Sequence, residues 1–101
     1  MVRVTLTMRA APGRAAEFER AWRDVALMAE RTTGHLRQAL LRDRGDPSTF
    51  VITSDWESPE AFERFERSPE QDALVSSLAR LRESVQMQVH DLLVHLDGSG
   101  A

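Results

Sequence analysis

One junction constrains this chain more than any other feature. The run Thr49-Phe50-Val51-Ile52-Thr53-Ser54-Asp55 passes directly into Trp56-Glu57-Ser58-Pro59-Glu60-Ala61-Phe62. The first run is rich in β-branched and aromatic residues and reads as a strand. In the second, Ser58 is a good helix N-cap and Pro59 sits at the first helical position. The chain must therefore turn from strand into helix at Trp56. A large aromatic at that corner serves either as the wall of a pocket or as an anchor of the core or of a subunit interface.

The rest of the chain follows the same grammar. Val2, Val4, Leu6 and Met8 alternate with Arg3, Thr5, Thr7 and Arg9, which predicts a half-buried strand over 2–9. Ala10-Ala11-Pro12-Gly13 ends it. A helix is expected from about Arg14 to Arg31, with Phe18, Trp22, Val25 and Met28 or Ala29 on one stripe. Gly34 closes that helix. His35 to Asp43 reads as a second strand, and the polar stretch through Asp46-Pro47 as a turn. After the 49–55 strand comes a short helix carrying Phe62 and Phe65. Ser68-Pro69-Glu70-Gln71 opens another, with Ser68 and Gln71 spaced as a capping box. Leu74, Leu78, Leu81 and Val85 form its stripe. Met87 to Leu96 is the expected last strand. Residues 1–97 read as one domain and 98–101 as a disordered tail.

The order β-α-β-β-α-β, with its second helical region split, is the ferredoxin-like split βαβ pattern. The fold class is α+β, with an antiparallel four-stranded sheet and helices on one face. The other sheet face would leave residues such as Val51 and Leu93, or their neighbours of opposite parity, as an exposed apolar patch. A second copy across a twofold axis covers it, so a homodimer forming a dimeric α+β barrel is expected.

Composition narrows the chemistry. The chain of 101 residues has no Cys and no Tyr, and it also lacks Asn and Lys, so all 13 basic residues are Arg. A thiolate nucleophile, a cysteine zinc site, a Schiff-base lysine and a P-loop are excluded. The net charge of -3 comes from interleaved signs. It gives no electrostatic footprint for nucleic acid. No apolar run approaches the roughly 20 residues of a membrane span. The N-terminus looks like a strand and not a signal segment. A cytoplasmic protein with no membrane partner is expected.

With these elements in place the sequence resembles the antibiotic biosynthesis monooxygenase family. The resemblance is carried by Pro12-Gly13 after a strand, Glu17-Phe18-Glu19-Arg20-Ala21-Trp22, Thr33-Gly34-His35-Leu36 leading into Leu40-Leu41-Arg42, Phe50-Val51-Ile52, and above all Trp56-Glu57-Ser58. Relatives usually have Pro-Gly-Phe-Leu where this chain has Thr33-Gly34-His35-Leu36. The resemblance implies the dimeric barrel reached above. It also implies a cofactor-independent, monooxygenase-like enzyme acting on an aromatic polyketide-type, polyphenolic substrate. One family branch degrades heme with an Asn, a Trp and a His, but the matching positions here are Leu6, Phe65 and Val75, so heme degradation is not expected. In the quinone-forming branch, Trp56 matches a pocket tryptophan. The accompanying Asn, Tyr and Arg fall on Ile52, Phe62 and about Val75, which makes this pocket more apolar.

The expected catalytic residues are Trp56, packing on the ring system, and His35, a histidine whose near-neutral pKa suits it as the base for a phenolic proton. A solvent-facing histidine at a strand start is the alternative for His35. Leu6, Ile52, Phe62, Phe65 and Leu74 are the expected substrate-binding side chains, and each also suits a plain core. No cofactor and no metal are expected; His90 and His95 lie on opposite faces of one strand and cannot share an ion. Arg9 and Arg37 either meet an anionic substrate or pair with carboxylates such as Asp55 and Asp91. The partner expected is a hydrophobic aromatic small molecule. A ligand-binding or accessory barrel without oxidation, and a polyketide cyclase or isomerase, use the same pocket and stay open.

Overall fold

The computed structural model describes residues 1–98. The last three residues of the expected tail lie outside the described residues, as do the side chains of Glu70, Ala73 and Leu74. The elements run β1 (Val2–Ala10), α1 (Ala15–Glu30), β2 (His35–Arg42), β3 (Thr49–Trp56), α2 (Pro59–Glu66), α3 (Pro69–Leu81) and β4 (Arg82–Asp91). The strands form one antiparallel sheet in the order β2-β3-β1-β4. This is the ferredoxin-like α+β fold expected from the pattern.

Register decides which residues meet. Val4 lies opposite Ser54 and Val89, Leu6 opposite Ile52 and Met87, and Met8 opposite Phe50 and Val85. Cross-strand partners share a face, and this one faces the helices. Val2, Val4, Met8, Phe50, Ile52 and Trp56 are all buried on it. From α1, Phe18 stacks on Phe50 with ring centroids 4.8 Å apart.

Two serines start the later helices as expected. Ser58 accepts from the Ala61 amide and Ser68 from the Gln71 amide, each at 3.2 Å. The capping box at Ser68 is only half made. The Ser68 amide instead donates to the Phe65 carbonyl at 3.2 Å, because α2 ends there. Gln71 is thereby released to turn toward the space under the helices.

Gly34 is required twice over. Its φ is +94°, and a Cβ there would sit 2.5 Å from the Ala61 Cβ. Only glycine combines the left-handed backbone with so close an approach of β2 to α2. A register shift between His35 and Arg37 then sets His35 opposite Trp56, and Leu36 is turned outward.

Two expectations are corrected. The last strand begins at Arg82, not Met87, and ends at Asp91. Val85 fits a helical stripe with Leu81, but Val85, Met87 and Val89 also alternate with Gln86, Gln88 and His90, and pairing with β1 selects the period of two. The sheet face away from the helices is also less apolar than supposed. It carries Arg3, Thr5, Thr7, Thr53, Asp55, Gln86 and Gln88, with Leu41 and Val51 at one side. Apolar exposure concentrates on β4 and beyond it: Met87 is 50 % exposed, Leu93 86 % and Leu96 85 %. The helices do not reach over that edge.

Candidate functional site

Between the sheet and the helices lies a cavity of about 300 Å³. That is the lower end of the range for small-molecule sites. Leu6, Met8 and Ile52 form its floor on the sheet. Trp22, Val25 and Leu78 line it from the helices. Trp56, Phe62 and Phe65 also wall it, and Val85 and Met87 border it along β4, where both are exposed.

Trp56 organises its part of the wall. It is 1 % exposed. Its ring lies 5.6 Å from Phe62 and 5.3 Å from Phe65, centroid to centroid. Its indole Nε1 donates to the Ser54 hydroxyl at 3.0 Å. Neighbouring side chains on one face of β3 thus hold each other, and the Ser54 hydroxyl proton remains available as a donor. Gln38, opposite Ser54 on β2, lines the cavity and donates to the Ala26 carbonyl at 2.9 Å, tying β2 to α1. Arg82, Gln71 and Glu66 complete the polar lining.

The structure places the expected site residues unequally. Leu6, Ile52, Trp56, Phe62 and Phe65 all line the cavity. Leu74 lies on α3, and its side chain is outside the described residues. His35 is not among the lining side chains. It packs edge-on against Trp56, with ring centroids 5.1 Å apart at 78°. Its Nε2 is buried without a hydrogen-bond partner. Burial lowers its pKa below the usual 6.5, against weaker upward pulls from Glu30 and Asp55. Burial thus disfavours the charged form of His35 beside the indole. Sequence reasoning missed Ser54, Gln38 and Arg82. The signal for Ser54 was parity, since it lies on the same strand face as Ile52, already chosen; Gln38 follows from the register that sets it opposite Ser54.

On the opposite sheet face, Asp55 is 1 % exposed and bound by two arginines. Arg3 donates through Nε at 2.7 Å and Nη2 at 2.9 Å, and Arg37 through Nη1 at 2.6 Å. The hydrogen bonds from Arg3 lead in holding the Asp55 carboxyl below its ordinary pKa, with Arg37 adding to them against the effect of burial. His90 lies opposite Arg3 on this face, and His95 sits beyond β4 with Nε2 3.0 Å from Asp97. Among the described residues, no three His, Cys, Asp or Glu side chains gather to hold a metal ion. No helix among them is long and apolar enough to cross a membrane.

The sequence and the fold have counterparts. The sequence profile of the antibiotic biosynthesis monooxygenase family matches residues 1–77, and the chain belongs to that family. A variant of SnoaB, a cofactor-independent oxygenase from Streptomyces nogalater, superposes with a TM-score of 0.87 at 24 % identity, covering 96 % of this chain and 97 % of that one. A Deinococcus radiodurans protein assigned to the same family gives 0.86 at 20 % identity, covering 99 % and 100 %. One from Nitrosomonas europaea, assigned likewise, gives 0.85 at 16 %, covering 93 % and 100 %. At these identities the likeness establishes the fold. No curated protein matches the sequence.

Proposed function

We propose that this chain is a cofactor-independent, monooxygenase-like enzyme that oxidises a polycyclic phenol in the cavity beside Trp56, and that it works as a homodimer. The observation that carries this reading is the cavity itself: about 300 Å³, largely apolar, walled by Trp56, Phe62 and Phe65 in a chain of this family. The similarity to SnoaB supports the same direction.

The chemistry asks little of the protein. An anthrone-type phenol, once ionised, is rich enough in electrons to pass one to O2. The two radicals join at the ring carbon as a peroxide anion, which takes back the proton lost on ionisation to become a hydroperoxide. Loss of water leaves a quinone carbonyl, so one oxygen atom enters the product and the other leaves as water. The protein contributes orientation against flat aromatic walls and exclusion of water. Ser54 and Gln38 are the groups suited to meet a substrate oxygen. His35, outside the lining, enters as a residue that positions Trp56, and its removal should leave the pH profile of turnover unchanged.

Aerobic incubation with an anthrone-type phenol tests this. The expected result is quinone formed in equal amount to O2 consumed. A favoured second reading draws on the apolar Ile52 and Phe62: a barrel that binds aromatics without oxidising them. Tight aromatic binding with no oxygen uptake across a phenol panel would establish that reading instead. The homodimer is supported by the exposed apolar side chains of β4 and of residues 93–96. A monomer by light scattering at micromolar concentration would remove it.

A further inference from the structure

Arg82 stands apart from the other arginines near the sheet. Arg3 and Arg37 are committed to Asp55. Arg9 lies 3.7 Å from both Asp46 and Glu83. Arg82, half-buried at the junction of α3 and β4, lines the cavity and has no carboxylate partner among the described residues. Its one side-chain polar contact among the described residues is from Nη1 to the Met8 sulfur at 3.8 Å, and a thioether is a weak acceptor. The guanidinium always carries its charge. A fixed cation beside an apolar cavity, with no strong acceptor on it among the described residues, suits an anion.

Its position defines the ligand further. Met8 and Val4 face the cavity side four residues apart on β1, about 13 Å at the usual strand rise. Ser54 lies opposite Val4, and Arg82 reaches Met8. The neutral donors and the cation therefore mark the two ends of an elongated apolar space. Glu66, the carboxylate on the lining, follows Phe65, whose ring packs on Trp56, and it makes no ion pair with Arg82.

We propose that Arg82 makes this a site for an anionic polycyclic aromatic, one that carries a carboxylate or other negatively charged oxygen group at the end of its ring system remote from Trp56. The inference rests on the reading of the cavity as an aromatic site and adds the charge and orientation of the ligand. Arg82 here is a specificity residue that touches the ligand away from the reacting carbon.

The test compares anthracene-2-carboxylate with its neutral primary amide, which has nearly the same shape. Calorimetric titration of the intact protein should show the acid bound roughly tenfold or more tighter, the scale of one charge-assisted pair. Arg82→Gln should bring the acid down to the affinity of the amide, and Arg82→Lys should retain part of the preference. Equal binding of acid and amide by the unsubstituted protein would overturn the inference while leaving the aromatic site standing. Equal loss of both ligands in a folded Arg82→Gln protein would overturn it too, by giving Arg82 a structural role. Binding of neither ligand by the unsubstituted protein would sink the aromatic site itself. Should Arg82→Gln fail to fold, the acid-to-amide ratio of the unsubstituted protein still decides.

Discussion

Asp55 and Trp56 are neighbours in the chain, and each is 1 % exposed. They are buried by opposite physics. Trp56 turns toward the helices, meets Phe62 and Phe65, and borders a cavity. Asp55 turns to the other sheet face and is enclosed by the two guanidiniums that neutralise it. Alternation along β3 thus separates a place where matter is missing from a place where every acceptor is used. A ligand can enter the first. The second holds β1, β2 and β3 together through three hydrogen bonds and offers no room for chemistry.

The comparison breaks most sharply on Trp56→Ala. Loss of a buried tryptophan should cost about 3–5 kcal/mol in denaturant unfolding, a large share of the 5–15 kcal/mol typical of a domain. Aromatic binding should vanish with it. Trp56→Phe should keep the fold and weaken ligand binding, separating the two roles. If Trp56→Ala remained fully stable, the indole would not be the anchor described.

Asp55→Ala should come next. Removing one member of a buried ion cluster usually costs 3–5 kcal/mol, but Arg3 and Arg37 are 37 % and 41 % exposed. Water therefore relieves part of the unpaired charge, and about 2–3 kcal/mol is expected. Ligand affinity should not change, because Asp55 faces away from the cavity. A change in affinity without a change in stability would invert the comparison.

Gly34→Ala should cost about 2 kcal/mol through its positive φ, with the Ala61 clash added. It should loosen the Trp56 wall as β2 and α2 separate. Ser54→Ala should be milder, about 1 kcal/mol, as the indole N–H loses its acceptor.

Acid should read out both sides in turn. The lowered pKa of His35 means that the unfolded chain takes up its proton first, so stability begins to fall as pH drops below about 6.5. The depressed Asp55 contributes its stability above about pH 4, and that share is lost as pH falls through its folded value. His35→Phe should erase the first step and leave the second, as followed by thermal melting against pH.

The fold was legible because each element carried its own local marker. The alternation at Val2 to Met8, the Phe18–Val25 stripe and the Ser-Pro helix starts needed no tertiary information. The start of β4 did not yield to the same reading, because Leu81 and Val85 satisfy a helical spacing until pairing with β1 decides. The apolar cavity wall was largely visible for the same reason as the core. Its polar members were not. Ser54, Gln38 and Arg82 are ordinary residue types; parity sets Ser54 beside Ile52, but only register and burial reveal that all three meet one space. His35 shows the converse: a residue type suited to catalysis, set by a register shift against Trp56 instead of in the cavity.

Ile52 is the single isoleucine of the chain and lies on the cavity floor. Its δ1 methyl, labelled selectively, gives one NMR signal that reports on this space alone. Titration with an anthrone-type phenol under anaerobic conditions should shift that signal saturably, with Trp56 indole N–H moving at the same midpoint. An unmoved Ile52 signal at ligand concentrations that perturb other parts of the protein would contradict the cavity as the site.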